Sequence, residues 1–342
     1  MKITTRIAKA TALAGAMLLP AAASAEELVV GAFGGSFAEN AKACYVEPFE
    51  KATGATVTLK LANSSQHAAA VRATAGESDM DVIFMDDAFA AQLKNEGLTE
   101  KLDRSKLTHA DEIVPDAWGA DDAYVVAMLS ATTIVYNPQT VTTPPTSWKD
   151  LFDPKYAGRV TIGDISGTTG WQFLMAVNKM EGGSLDDITP GLKAIKPLAE
   201  NSVVLYTQAD QVVSLFERGE VDIAVWYPDR AGVAAQKGLP VAVAYPQEGA
   251  VAIKPSVVMP KGTQRSDLAL KFIDQVLSAE SQKCFSEAAF IGSVNKDVKL
   301  SDEVSKIVPT DEVVKKLLFL DPNTMSQKLP EWTRQWQREV AR

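Results

Sequence analysis

Residues 219–232 read Gly-Glu-Val-Asp-Ile-Ala-Val-Trp-Tyr-Pro-Asp-Arg-Ala-Gly and give the clearest indication of the fold. Residues 221–225 alternate β-branched with small and acidic side chains, which predicts a short strand buried in a sheet. Trp226, Tyr227 and Asp229 follow the carboxyl end of that strand, where ligands bind in open α/β sheets. Two aromatic rings and a carboxylate suit a positively charged small ligand. A core tryptophan beside a solvated turn aspartate explains the same residues, so both interpretations stay open.

The rest of the chain repeats this alternation of strands and helices. Strands are predicted at 28–33, 55–61, 81–85, 124–136, 160–162, 203–206, 241–244 and 251–259. Helices are predicted between most of these strands and near the C-terminus, where the spacing of Trp332 and Trp336 indicates a packing face. This alternation is typical of an α/β fold with parallel, doubly wound sheets.

The N-terminus has the features of an export signal. A basic start precedes an apolar run at 10–22, and Ala23-Ser24-Ala25 has the small residues of a cleavage site, so residues 1–25 are predicted to be a signal peptide. The mature chain then begins at Glu26 and carries 31 Lys+Arg against 43 Asp+Glu, a net charge of −12. We therefore expect a soluble, periplasmic protein whose acidic surface does not bind nucleic acid.

The cysteines and histidines limit the chemistry of the chain. Cys44 and Cys284 are its only cysteines, and in an exported protein such a pair predicts one disulfide, although two separately buried thiols would also account for them. His67 and His109 lack the spacing of metal ligands. No cofactor fingerprint occurs, so neither a metal nor a cofactor is predicted.

Two turns at predicted strand ends supply further candidate ligand contacts. Gly34-Gly35-Ser36-Phe37 follows the first strand, where the glycines would let the backbone approach a ligand closely. Ser36 and Glu39 also have the spacing of a helix capping box, so an ordinary strand–turn–helix stays open. Asp86 and Asp87 follow the third strand and are predicted either to hold an amine or to cap the next helix.

A third turn, Ser166-Gly167-Thr168-Thr169-Gly170, joins a predicted strand to a predicted helix. Hydroxyls and free backbone amides at a helix start form an anion-binding cradle, in which Ser166, Thr168 and Thr169 are the candidate residues. The Gly-Lys-Ser/Thr ending of a Walker loop is absent. An ordinary surface loop is the alternative.

Several longer motifs resemble a known family. Residues 48–54 read Pro-Phe-Glu-Lys-Ala-Thr-Gly, residues 147–158 read Ser-Trp-Lys-Asp-Leu-Phe-Asp-Pro-Lys-Tyr-Ala-Gly, and residues 248–250 read Glu-Gly-Ala. With the 219–224 motif and Glu331-Trp332, they span essentially the whole mature chain. The chain resembles the periplasmic solute-binding proteins of ABC importers, in the group that includes the polyamine-binding and ferric-iron-binding proteins.

The resemblance implies two α/β lobes of the type II periplasmic binding protein fold, which close around a ligand by a hinge motion. Lobe 1 is expected to hold residues 26–129 and 251–300, and lobe 2 residues 130–250, with the helices of 301–342 packing across both. Both cysteines then fall in lobe 1, which favours the disulfide. The resemblance also implies a membrane permease as a partner, and we expect a monomer.

The predicted ligand is a compact amine or zwitterion, such as a γ-aminobutyrate-like amino acid, an aminophosphonate or a quaternary amine. The resemblance places a Trp and an acid after the 248–250 turn of polyamine binders and adjacent tyrosines in iron binders, and this chain has neither. The expected apolar walls are Phe37, Tyr206, Trp226 and Tyr227, and the expected partners of the ligand nitrogen are Asp229 with Asp86 or Asp87.

Two other functions stay as alternatives, namely binding of spermidine or putrescine and ligand sensing in the periplasm. Catalysis is not predicted, because neither histidine lies near a serine-bearing turn and the chain has no Gly-x-Ser-x-Gly elbow.

Overall fold

The computed structural model describes residues 26–74, 76–309 and 311–341. The predicted signal peptide, residues 1–25, lies outside the described residues. Within them, no helix is both long and apolar enough to span a bilayer.

The secondary structure alternates along the chain as expected for an α/β protein. The strands are β1 Glu27–Ala32, β2 Thr56–Leu61, β3 Val82–Asp86, β4 Val125–Val126, β5 Met128–Tyr136, β6 Val160–Gly163, β7 Ser202–Tyr206, β8 Ile223–Trp226, β9 Ala242–Ala244, β10 Val251–Ile253, β11 Pro255–Val258 and β12 Gly292–Ser293. The α-helices are α1 Ser36–Ala41, α2 Glu47–Thr53, α3 Ser64–Ala73, α4 Asp87–Asn95, α5 Thr168–Met180, α6 Thr189–Glu200, α7 Asp210–Glu217, α8 Pro228–Gln236, α9 Ser266–Leu277, α10 Ala279–Ala289, α11 Asp302–Ser305, α12 Asp311–Val314 and α13 Pro322–Glu339.

The first sheet has the strand order β2-β1-β3-β11-β4. β1 runs parallel to β2 and β3, whereas β11 is antiparallel to β3 and β4. The alternation along β3 places Val82 and Phe84 in one apolar cluster and Ile83 and Met85 in another. A strand that is apolar on both faces is typical of a sheet covered by helices on both sides.

The second sheet has the order β10-β5-β8-β6-β7, and β9 and β12 also pair with β5. β6 is parallel to β7 and β8, and β5 is antiparallel to β8 and β10. Along β8, Ile223 and Val225 pack into one core cluster while Ala224 and Trp226 pack into the other. The prediction of an α/β fold with two doubly wound sheets is confirmed.

Two predicted strands are each divided between the sheets. The predicted strand at 124–136 forms β4 in the first sheet and β5 in the second, and that at 251–259 forms β10 in the second and β11 in the first. The chain crosses at Ala127 and Lys254, and the Ala127 N–H donates a 2.8 Å hydrogen bond to the carbonyl of Pro255. The prediction of one continuous strand was wrong in both places. The apolar pattern continues through the crossing at Ala127, whereas Lys254 and Pro255 interrupt it at the second crossing. The lobe boundaries at 129/130 and 250/251 stay a prediction.

The predicted disulfide is confirmed. Cys44 lies in the π-helical segment Lys42–Val46, which joins α1 to α2, and is bonded to Cys284 in α10 with the Cα atoms 5.6 Å apart. Beside it, the rings of Tyr45 and Phe285 stack with centroids 4.8 Å apart. The bond therefore fastens the helical segment after β1 to α10, which follows β11.

The C-terminal helix α13 packs against α4 and α6, which accompany different sheets. Gln92 Nε2 in α4 donates to the carbonyl of Ser326 at 3.3 Å, and Asn95 Nδ2 donates to the Ser326 hydroxyl at 3.1 Å. Trp332 and Trp336 are buried in the same core cluster as residues of the second sheet. Their spacing therefore marks a packing face, as predicted.

Candidate ligand-binding site

A cavity of about 90 Å³ lies where the carboxyl ends of β1, β2 and β3 face those of β6, β7 and β8. Chain segments that follow these six strands form much of its wall, which is the position expected for a ligand site in open α/β sheets. Most of the predicted ligand contacts line this cavity, namely Phe37, Asp86, Ser166, Thr168, Thr169, Tyr206, Tyr227 and Asp229. Ser36, Asp87 and Trp226 are not part of its wall.

Asp86 ends β3 and contacts the helix start of the other sheet. Its Oδ2 accepts a 3.2 Å hydrogen bond from Ser64 Oγ and a second bond from the Thr168 hydroxyl. Burial raises the pKa of Asp86 to about 6, the Thr168 bond opposes this rise and the charge of Asp87 adds to it. Asp86 occupies the N-cap position of α4 but its side chain accepts no capping bond there, so the capping alternative is wrong for this residue.

Asp229 is the second residue of α8, and its side chain is 14% exposed. Its Oδ1 accepts a hydrogen bond from the Ser130 hydroxyl of β5. Burial raises the pKa of Asp229, while the Arg230 guanidinium, whose Nε lies 3.9 Å from Oδ2, favours the ionised carboxylate. Asp86 and Asp229 thus bring two carboxyl groups to one cavity, one from each sheet.

The start of α5 forms a third part of the wall. The carbonyl and carboxylate of Asp164 accept bonds from the N–H groups of Gly167 and Ser166, at 3.0 and 2.9 Å. Among the described residues, no acceptor is bonded to the backbone N–H of Thr168 or Thr169, as is usual in the first turn of a helix. These two donors and the positive end of the helix dipole favour an anionic group in the cavity.

Two tyrosines complete the apolar wall. Tyr206 Oη lies 2.7 Å from the carbonyl of Val225 and 2.8 Å from Thr169 Oγ1. Because a carbonyl can only accept, the Tyr206 hydroxyl donates to Val225 and can accept from Thr169. The Tyr227 hydroxyl makes no hydrogen bond within the described part of the chain, and burial raises its pKa well above the usual value, so it is a neutral donor available to a ligand.

The prediction that Trp226 forms part of the apolar wall of the ligand site is wrong. It is fully buried at the end of β8, and its indole Nε1 donates a 3.0 Å bond to the carbonyl of Ala209. The ring packs with Phe216 and other residues on the face of the second sheet opposite to Val225. The core interpretation holds for this residue, because the alternation along the strand turns its side chain into the core.

Asp87 also lies away from the cavity wall. It begins α4, and its Oδ2 pairs with Lys254 Nζ at 2.9 Å. Its N–H donates to the carbonyl of the same lysine at 3.1 Å. Burial raises the pKa of Asp87, and the ammonium opposes this rise. Asp87 therefore pairs with an amine, but this amine is Lys254 of the chain itself, at the point where β10 passes into β11, and not a ligand.

Arg230 is the functional candidate that the sequence interpretation missed. It lines the cavity, and its Nη1 donates to the carbonyl of Gly34 at 3.1 Å, to Ser36 Oγ at 2.8 Å and to Asp210 Oδ1 at 3.4 Å. The capping box predicted for Ser36 is wrong, because Gly35 holds the N-cap position and the Ser36 hydroxyl bonds to this arginine. The position of Arg230, one residue after Asp229 at the same strand end, was the signal available in the sequence.

Gly35 allows this close approach. Its φ of 62° lies in the left-handed region that favours glycine, and a Cβ there would come within 2.1 Å of Asp210 Oδ2. Further contacts join the two sides of the cavity, because Asn63 Nδ2 donates to the Thr207 carbonyl at 3.4 Å and Gln208 Nε2 donates to Gln66 Oε1 at 3.2 Å.

Comparison with known proteins shows the family to which the chain belongs. Residues 44–310 match the sequence profile described as bacterial extracellular solute-binding protein. The chain belongs to that family. This solute-binding protein is 26% identical over 306 residues to the spermidine/putrescine-binding periplasmic protein of Escherichia coli K12, an alignment that covers 86% of this chain and 83% of the relative.

Two further relatives bind a different amine. The γ-aminobutyric acid-binding protein of Pseudomonas aeruginosa is 24% identical over 306 residues, with 85% of this chain and 84% of the relative covered. The solved structure of the Atu4243–GABA receptor superposes with a TM-score of 0.76 at 25% identity and covers 91% of this chain and 97% of its own. The family is one of substrate-binding transport proteins with two lobes, and its fold is that of this chain.

Proposed function

We propose that this solute-binding protein captures a compact amine or zwitterion in the cavity between its two sheets and delivers it to the membrane permease of an ABC importer. The observation that carries the proposal is the pair of carboxyl groups of Asp86, which is buried, and Asp229, whose side chain is 14% exposed; they face one cavity from opposite sheets. A ligand ammonium placed between them would pair with carboxylates that have little contact with water, where the Coulomb attraction between opposite charges is larger than in bulk water.

The size of the cavity supports a compact ligand. A water molecule needs roughly 10–15 Å³ of such space, so about 90 Å³ accommodates on the order of six to nine water-sized groups. This suits a short amino acid or a small amine. Aromatic and aliphatic side chains, among them Phe37, Phe89 and Ile253, cover the methylene groups of such a ligand.

Polyamine binding is the second candidate, and the same two carboxyl groups favour it. The relative from Escherichia coli is named for spermidine and putrescine. Its ligands carry only positive groups, whereas this cavity also contains the unpaired N–H groups of α5 and a guanidinium. We therefore favour a compact ligand that carries both a positive and a negative group over a polyamine.

A thermal-shift screen of the refolded mature chain tests the proposal, because refolding removes any ligand carried through purification. The panel holds amines, amino acids, phosphonates, sugars and metal ions. A ligand at about 100 times its Kd stabilises the native state by about 2.7 kcal/mol, which raises the Tm by several degrees. A shift with a compact amine or zwitterion is expected. Shifts only with sugars or metal ions, or none in a folded sample, would refute the proposal.

A further inference from the structure

We propose that Arg230 is a specificity-determining residue of the cavity, whose guanidinium binds a carboxylate on the ligand, so that the protein selects ω-amino acids over diamines of the same length. This inference rests on the proposed function and adds to it the chemical class of the second end of the ligand. Nothing in the resemblance or in the names of the relatives assigns a role to this arginine.

The first argument is the hydrogen bonding of the guanidinium. Arg230 is 9% exposed, and an arginine carries its charge at every physiological pH. All three of its hydrogen bonds use Nη1, and two of them go to the uncharged oxygens of Gly34 and Ser36. Within the described residues Nη2 makes no hydrogen bond, and Nε is 3.9 Å from the carboxylate of Asp229. The fork that matches a carboxylate is therefore still available.

The second argument is the arrangement of charge. Arg230 is the one basic residue among the described residues of the cavity wall, where the acids are Asp86, Asp210 and Asp229. A diamine would bring a second ammonium toward a buried guanidinium, which is a repulsive contact. An ω-amino acid replaces that ammonium with a carboxylate, which the guanidinium and the unpaired N–H groups of Thr168 and Thr169 all favour.

The third argument links recognition to the contact between the two sides of the cavity. Arg230 belongs to α8, after the second sheet, while Gly34 and Ser36 follow β1 of the first sheet. A carboxylate bound to Nη2 would hold the guanidinium in the orientation in which Nη1 reaches these two oxygens. The anionic end of the ligand would thus stabilise the contact between α8 and the segment after β1 as well as fill the cavity.

Calorimetric titration with matched ligands tests the inference. The probes are the ω-amino acids of three to six carbons, γ-aminobutyrate among them, and the α,ω-diamines with the same numbers of carbons. For wild type we expect at least one amino acid to bind about 100-fold more tightly than its matched diamine. Arg230→Gln should weaken the binding of that amino acid by about 30-fold or more, as is typical of a truncated buried charge pair, and should leave the binding of the matched diamine unchanged or tighter, because the repulsion of its second ammonium is removed.

Arg230→Lys is the second variant, because it keeps the charge but not the fork, and it should retain part of the preference for the amino acid. The Tm of each variant without ligand establishes that it is folded. Diamines that bind wild type as tightly as the amino acids, or an Arg230→Gln variant that loses affinity for both series equally, would overturn the inference and leave the proposed function standing. If folded wild type binds neither the amino acids nor the diamines, the inference is overturned as well. The thermal-shift screen with the wider panel then decides whether the proposed function is also refuted.

Discussion

Replacing Lys254 by methionine removes the charge that faces Asp87 at the crossing between β10 and β11. The two groups form an ion pair of 2.9 Å, with side chains 23% and 12% exposed. Breaking a fully buried pair costs about 3–5 kcal/mol, because the remaining charge has no partner. Since Lys254 keeps some contact with water, we expect a loss of about 2–3 kcal/mol in the free energy of unfolding at pH 7.5.

The loss should depend on pH in a defined direction. Burial already raises the pKa of Asp87 in the folded chain, and removal of the ammonium raises it further. An acid with a raised folded-state pKa is most destabilising above that pKa, and the penalty fades as the pH falls toward the unfolded-state pKa. The difference between variant and wild type at pH 4.5 should therefore be less than half of that at pH 7.5.

Urea denaturation at both pH values measures these differences. Lys60→Met is the matched control, because Lys60 pairs with Asp79 on the surface, where the side chains are 42% and 65% exposed. Its removal should cost less than about 0.5 kcal/mol. Lys254→Met combined with Asp87→Asn should recover more than half of the loss, since no buried charge is left alone. A loss below about 0.5 kcal/mol for Lys254→Met, or one that does not change with pH, would refute the reasoning.

Four further predictions concern the site and the core. Asp229→Asn should weaken the binding of a ligand ammonium more than tenfold in a calorimetric titration, and an unchanged Kd would remove its role. Because burial raises the pKa of Asp86 to about 6, ionisation of this carboxyl should raise amine affinity about tenfold from pH 5 to 7.5, and Asp86→Asn should make the rise clearly smaller. Trp226→Phe should lower the Tm while Kd stays within about threefold, whereas a large loss of affinity at unchanged Tm would restore the indole to the site. Replacing Cys44 and Cys284 by alanine should lower the free energy of unfolding by about 2–5 kcal/mol, and an unchanged Tm would contradict a stabilising bond.

The fold could be predicted because its signals are local. Each buried strand is a short apolar run bounded by turn residues, and Pro228 marks the start of α8 just as proline favours the first position of a helix. The crossings at Ala127 and Lys254 could not be located in the same way. At Ala127 the apolar run has the same pattern whether its residues pair with one sheet or pass from one sheet to the other. Lys254 and Pro255 interrupt the second run, but this break does not show that the following residues pair with a different sheet.

The site was harder to predict because its partners are distant in the sequence. Asp86 and Asp87 are neighbours of the same type, yet one faces the cavity and the other pairs with Lys254. The two roles differ because Lys254 lies beside Asp87, and the sequence does not show where this distant lysine is placed. Arg230 was missed for the same reason, since the oxygens that it contacts, those of Gly34 and Ser36, follow a strand of the other sheet.

The most direct test of the proposed function identifies the small molecule that the protein carries. The native protein is purified from the cells that make it and is then denatured to release any bound compound. The released compounds are identified by mass spectrometry, and the refolded, ligand-free protein treated in the same way serves as the blank. We predict close to one equivalent of a compact molecule that carries an amine. A sugar or a metal ion in that amount would contradict the account.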